Sequence, residues 1–295
     1  MSQSSSQSTS EAREKARRIA QKQAKRPSGN SSRRWIQASI LVVVVAIVAI
    51  VAVVVTQSQK TAIPDEGPVP ASANQYGGIV ITQDGIIQDA SPKETRKPTD
   101  VETSTVKYTG EDGKETVVPV GLEDPEKAAE NGDPVRVTIY QDYECVHCAE
   151  FEEKYGDELK KMVLNGEITL EIRNLNILDR EGITDYSTRA AMAAYLVAEQ
   201  VSPEQFLDFQ EELFTRQGQG GMTNKELSEL AQKHGASDIQ EELESNAYRP
   251  MVKTVTAEAQ ANGISGTPTI FVDSKPLQQE DFSSFLKKVQ EAKKK

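Results

Sequence analysis

The sequence predicts an α/β domain interrupted by a block of helices and preceded by a single N-terminal transmembrane helix. Three observations carry that prediction. A Cys-x-x-Cys motif, Cys145-Val146-His147-Cys148, stands between an alternating apolar run and a helical stretch. The regular patterns around it run β-α-β, then helices, then β and α, and strands alternating with helices imply a sheet covered by helices. One long apolar stretch, Ile36 to Val55, lies near the N-terminus and has no polar residue from Ile40 onward.

Taken in order, Met1 to Ser10 is nearly all Ser, Gln and Thr and too polar to bury anything. Glu11 to Arg26 has helix-forming residues dominated by cations, either a helix lying on an anionic leaflet or a solvated basic tail. Ile36 to Val55 is about long enough to cross a hydrocarbon core, and in lipid a helix is the only way its backbone satisfies itself. Trp35 sits where an interfacial aromatic belongs, and the basic cluster before the span orients the N-terminus to the cytoplasm and the rest outside. A cleaved signal peptide is the rival reading. Its apolar core is normally shorter, and the small-x-small site Ala71-Ser72-Ala73 lies too far downstream, so an anchor is expected.

The expected organisation is a cytoplasmic tail over 1–35, the transmembrane helix over 36–55, an extracytoplasmic linker over 56–107 and a catalytic domain over 108–295. Within the linker, Gly78 to Thr82 and Ile86 to Gln88 flank Gln83-Asp84-Gly85, a hairpin signal. A second candidate pairs Thr105 to Tyr108 with Thr116 to Val120. These hairpins are either edge strands of the main domain or a clasp of the linker.

From Pro134 the patterns are regular. Val135 to Tyr140 reads as a strand, Ala149 to Leu164 as a helix, and Ile168 to Ile172 as a second, largely apolar strand. A helical insertion follows at about 183–262. In it Pro203 occupies a first helical position, and Thr223 with Glu226 and Ser237 with Gln240 form capping boxes. Thr269 to Val272 is a strand, Asp273-Ser274-Lys275 a turn, and Asp281 to Val289 a last helix.

Charge and composition narrow the function. The net charge is −11, but the residues before Trp35 carry nine cations against two carboxylates, which leaves −18 on the remainder. An acidic globular part argues against nucleic acid as a partner. Cys145 and Cys148 are the only cysteines. A structural zinc site wants four ligands, and beyond the motif the chain offers only His234, so no metal is expected; no cofactor is expected either. A purely structural disulfide across two residues closes too small a loop to constrain the unfolded chain much.

The remaining reading is chemical. At a strand-to-helix junction the first cysteine sits over the unsatisfied N–H groups and the positive end of the helix dipole, which favours its thiolate. Cys148, about one helical turn on, is then placed to attack a mixed disulfide. His147 has a ring able to stabilise the Cys145 thiolate, or it is a solvent-facing residue of the first turn. Asp142 and Glu144 read as solvated rim charges.

Cys145-Val146-His147-Cys148 at this junction, with Gly266-Thr267-Pro268-Thr269 before a strand and a closing helix, resembles the thioredoxin fold. The long helical insertion, and Tyr140-x-Asp142-Tyr143 ahead of the cysteines, is similar to the membrane-anchored DsbA-like oxidoreductases of Gram-positive bacteria, the actinobacterial ones especially. The resemblance covers the chain from about Pro134 onward. It implies Cys145 as exposed attacking cysteine, Cys148 as buried resolving cysteine, His147 as the histidine of the motif, and a cis bond between Thr267 and Pro268. Thr267 and Pro268, with Val146, are implied to contact the substrate. Val146 stands where that family's motif usually has proline, and Ile139 stands where some relatives carry a buried carboxylate that shuttles a proton, a job the resemblance would pass to Asp142 or Glu144 as the rarer account of those two residues.

The implied activity is a thiol:disulfide oxidase acting on exported, unfolded, cysteine-containing proteins, reoxidised by a quinone-coupled membrane partner. It would sit in the plasma membrane as a single-pass protein with its catalytic domain outside. The alternatives are a membrane-tethered reductase or isomerase and, from another class, a tethered binding module.

Overall fold

The computed structural model describes residues 14, 15, 17, 18, 64–88, 95–110, 113–180, 183–217 and 219–293. The chain divides into two units, Met1–Gln59 and Lys60–Lys295. In the first, Glu14, Lys15, Arg17 and Arg18 are helical and exposed, and Arg18 pairs with Glu14 at 3.2 Å. The expected transmembrane helix over 36–55 lies outside the described residues. Among the described residues no helix is long and apolar enough to cross a membrane.

The second unit begins with short strands: β1 (Gly67–Pro68), β2 (Gly78–Thr82), β3 (Gly85–Ile86), β4 (Thr95–Arg96), β5 (Lys107–Thr109) and β6 (Glu115–Val117). Helix α1 (Pro125–Glu130) leads to β7 (Val135–Gln141), α2 (Val146–Leu164) and β8 (Ile168–Asn174). The helical insertion is α3 (Tyr186–Ala198), α4 (Pro203–Leu213) with a 3-10 turn over Phe214–Arg216, α5 (Asn224–Lys233), α6 (Gln240–Ser245) and α7 (Arg249–Ala261). The chain closes with β9 (Thr269–Val272), β10 (Lys275–Pro276) and α8 (Phe282–Lys293).

The main sheet has the order β10-β9-β7-β8-β2-β3. Strands β7 and β8 are parallel over Val135↔Ile168 to Gln141↔Asn174, joined by the crossover helix α2, and β9 runs antiparallel to β7. Period-two alternation sends Val135, Val137 and Ile139 into a core shared with Leu159 and Val163 of α2 and Phe282 and Leu286 of α8. Tyr140 faces the other way and packs with Phe271, Met251 and Val255, the last two from α7. Gly166, at φ 72°, ends α2 in the left-handed region and turns the chain into β8, as the loss of a Cβ permits.

The first hairpin takes the edge-strand alternative. Strand β2 pairs antiparallel with β8 from Gly78↔Arg173 to Ile81↔Leu170, so residues assigned to a linker belong to the sheet. The compact unit therefore extends well upstream of the 107/108 boundary. The second hairpin, β5 with β6, is a separate two-stranded sheet.

Strand β8 is less apolar than its pattern implied. It buries Glu171 and Arg173, and Glu171 collects Arg173 Nε at 2.9 Å, Arg136 at 2.9 Å, Asn74 Nδ2 at 2.9 Å and Thr138 Oγ1 at 3.2 Å. Burial pushes the Glu171 carboxyl up, and Arg173 and Arg136 together hold it below its usual range. This is how a carboxylate survives in a core: every lone pair is met.

Capping explains two of the insertion's helix starts. Ser202 with Gln205 and Thr223 with Glu226 form reciprocal capping boxes at α4 and α5, and Pro203 takes the first turn of α4. The box expected at Ser237 and Gln240 does not form. Ile239 is the N-cap of α6, and Ser237 Oγ donates instead to Gln200 Oε1 at 2.7 Å, a partner far away in sequence.

Candidate active site

Strand β7 ends at Gln141, and the turn from Asp142 to Cys145 delivers the first cysteine to the N-terminus of α2. The helix begins at Val146, three residues before the expected start, which makes Cys145 its N-cap. Its first turn carries no acidic residue, so nothing of like charge opposes an anion there. The backbone N–H groups of His147 and Cys148 both favour the Cys145 thiolate.

Cys145 is pulled down to about 5, first by the hydrogen bond from the Cys148 thiol, then, against the cost of burial, by Thr267 and those two N–H groups. Cys148 is pushed far up by the same bond to Cys145 and by burial. The two thiols divide the labour of an exchange reaction: one is held ionised, the other protonated.

Thr267 and Pro268 are brought to this pair. They are joined by a cis peptide bond, lie half-buried, and place the Thr267 carbonyl oxygen 3.2 Å from Cys145 Sγ, where the thiol form donates to it. The expectation of an exposed attacking cysteine is corrected: Cys145 is only 7% exposed and Cys148 2%, because the Thr267-Pro268 loop lies against the first sulfur. Both cysteines are free thiols.

Val146 is 59% exposed beside Cys145. The His147 side chain is 78% exposed and its Nδ1 pairs with Glu150 Oε2 at 2.9 Å. Its proton affinity is raised first by that pairing, and further by the charge on Cys145. Its backbone N–H favours the Cys145 thiolate by a hydrogen bond, and its exposed ring is coupled to that thiolate by charge. His234 lies at the end of α5 with Glu212 at 2.9 Å, apart from this motif. Among the described residues no cluster of His, Cys, Asp and Glu could hold a metal ion.

Three residues support the turn: Asp142 and Glu144, which the sequence read as solvated rim charges, and Gln217, which it passed over. Asp142 is buried completely and is no solvated rim charge. Its Oδ1 accepts from Ser187 Oγ at 2.6 Å and from the Glu144 N–H at 2.9 Å, and its Oδ2 accepts from the Leu178 N–H at 3.0 Å. Glu144 is half-buried and accepts from Thr184 Oγ1 at 3.0 Å. Gln217, past the 3-10 turn, donates to the carbonyl oxygens of Cys145 at 2.6 Å and Tyr143 at 3.3 Å. An Asp three residues before Cys145 is a recognisable turn former. Gln217 left no local signal.

With this geometry in place, the family model described as Thioredoxin matches residues 130–290, more than half of the chain. The chain belongs to the thioredoxin family. On that fold the site brings together two free thiols and the Thr267-Pro268 loop. This thioredoxin-family chain is similar to the crystal structure of reduced DsbA from Mycobacterium tuberculosis, at 27% identity over 63% of this chain and 91% of that one, with a TM-score of 0.48. It is also similar to MdbA, a thiol-disulfide oxidoreductase from Corynebacterium diphtheriae, at 24% identity over 65% of this chain and 96% of that one, with a TM-score of 0.46. A curated relative, the serine/threonine-protein kinase PknE of Mycobacterium tuberculosis, is 28% identical over 160 residues, 50% of this chain. The match spans only 28% of the kinase's length.

Proposed function

We propose that this thioredoxin-family chain is an extracytoplasmic thiol:disulfide oxidase, tethered to the plasma membrane, that introduces disulfides into exported, unfolded, cysteine-containing proteins. The observation that carries the reading is the split between the two thiols. A low Cys145 stabilises the dithiol form, and a stabilised dithiol makes the disulfide a stronger oxidant.

The reaction starts from the Cys145–Cys148 disulfide. A substrate thiolate attacks Cys145 Sγ, the intramolecular S–S bond breaks, and Cys148 leaves with the electron pair and takes a proton. A second substrate thiolate then attacks the substrate sulfur of the mixed disulfide. Cys145 leaves as the stabilised thiolate, the substrate has lost two electrons and the enzyme has gained them. A membrane partner, quinone-coupled by this reading, takes those electrons to restore the disulfide. The Thr267 carbonyl, beside the reacting sulfur, is placed to accept a backbone N–H of the substrate segment, a one-residue form of strand addition.

The tether is supported by the apolar run Ile36 to Val55 and the cations before it, and the outside location by the chemistry, since disulfides persist there. Equilibration with glutathione tests the direction. A potential on the oxidising side, towards the roughly −120 mV of the strongest oxidants, supports the oxidase. One near the roughly −270 mV of a thioredoxin reassigns the chain as a reductase. A Cys148→Ala variant should accumulate mixed disulfides through Cys145, and an inert Cys145 would favour a binding module.

A further inference from the structure

Asp142 is a carboxylate buried completely, and every hydrogen-bond donor it meets is neutral: the Ser187 hydroxyl and the backbone N–H groups of Glu144 and Leu178. Among the described residues no cation pairs with it. Burying an ionisable group in such surroundings is costly, and an amide or hydroxyl would cap an ordinary turn with less penalty. The position of the group suggests what it does. Its backbone carbonyl accepts the Cys145 N–H at 2.9 Å, while its carboxylate accepts the Glu144 N–H, so Asp142 closes the turn before Cys145 twice over. The remaining bonds pin that turn to Leu178, in the loop after β8, and to Ser187 on α3.

The charged neighbours sharpen the point. Asp179 receives the Ser187 and Thr188 N–H groups, Glu144 receives Thr184, and Arg189 is engaged by Asp185 at 2.7 Å. A negative Asp142 placed among these acids works against a thiolate close by. As a charge it opposes the state that Cys145 adopts; as a brace it aligns Cys145 with the α2 N–H groups and with Thr267. The two roles have opposite signs.

We propose that Asp142 is a positioning residue of the redox pair, its carboxylate fixing the turn that holds Cys145 over the start of α2 and against Thr267. The inference rests on the thiol-disulfide reading of the site. Asn at this position keeps one acceptor oxygen but turns an amide N–H toward donors that need an acceptor, so the turn must shift.

The test uses the full-length chain with Asp142→Asn and, separately, Ser187→Ala, which removes one bond and leaves the carboxylate. Thiolate absorbance against pH, exchange equilibrium with glutathione, and thermal unfolding are measured on each. Positioning predicts a Cys145 titration moved upward in Asp142→Asn, with about tenfold less thiolate below the wild-type midpoint, and a smaller upward move in Ser187→Ala. A folded Asp142→Asn protein whose Cys145 titration is unchanged or moved downward overturns the proposal, because removing whatever negative charge Asp142 carries acts only downward. If Asp142→Asn does not fold, an unmoved titration in folded Ser187→Ala overturns it. A wild-type protein that titrates as expected yet forms no mixed disulfide with glutathione refutes the oxidoreductase reading instead, and the two failures are told apart.

Discussion

Gln217 donates its side-chain amide to the carbonyl oxygen of Cys145 at 2.6 Å, so the helical insertion grips the residue at the head of α2 by its carbonyl while Asp142 holds its N–H. Cys145 O is also the acceptor for the Cys148 and Ala149 N–H groups, which makes it the origin of the helix. Gln217→Glu should raise the Cys145 titration, since a carboxylate cannot donate to that oxygen and brings negative charge beside the thiolate. Gln217→Ala should cost about 1 kcal/mol of stability, the worth of a typical hydrogen bond. Thiolate absorbance checks the first and urea unfolding the second.

The pH dependence of stability should differ between redox states. Cys145 sits near 5 in the folded dithiol, below the ordinary thiol range near 8.5. Its contribution is therefore full above that ordinary range and is lost as pH falls through 5. The disulfide form has no thiolate, so the stability difference between reduced and oxidised protein should shift toward the reduced form from pH 4 to pH 9. Urea unfolding of both forms across that range gives the slope.

Asp142 acts in the other sense. Burial raises it to about 6 in the fold, above the ordinary carboxyl value, so it favours folding most when protonated and progressively less as pH rises from about 4 through 6. Oxidised wild type compared with oxidised Asp142→Asn should show a pH-dependent difference on the order of 3 kcal/mol across this window. A difference that does not vary with pH would show that Asp142 is already ionised at pH 4.

Glu171 gathers four side chains from two strands and the segment before β2. Glu171→Leu would leave Arg173 buried without its carboxylate and should destabilise the domain by about 3–5 kcal/mol. The loss should show as a lower unfolding midpoint and as faster proteolysis ahead of β2, where Asn74 loses its anchor.

Two serines that look alike in sequence should behave differently. Ser202→Ala removes a working capping box and should cost about 1 kcal/mol. Ser237→Ala removes only the exposed hydroxyl bond to Gln200, leaving the backbone N–H bond to the same oxygen, and should stay within about 0.5 kcal/mol. Denaturant midpoints of the two variants measure the contrast.

What the sequence made legible was local. The Cys-x-x-Cys junction, the Thr267-Pro268 loop, the turn at Asp273 and Ser274, the helix start at Pro203 and the box at Thr223 all depend on residues within a few positions of each other. Strand β2 was ambiguous because its partner β8 is about ninety residues away. Asp142 read as a surface charge because Leu178 and Ser187, which bury and satisfy it, lie 36 and 45 residues on. Gln217 braces a carbonyl 72 positions earlier. An apolar pattern announces β8 but not the ion network in it, since periodicity does not report which charges find partners.

The six-stranded sheet ends on both sides in strands of two residues, β3 and β10. Neither flank offers a neighbouring molecule a long row of open amide and carbonyl groups on which to zip and propagate. A chain held at high local density, or working among unfolded polypeptides, is thereby guarded against recruiting them into a growing fibre through its own architecture.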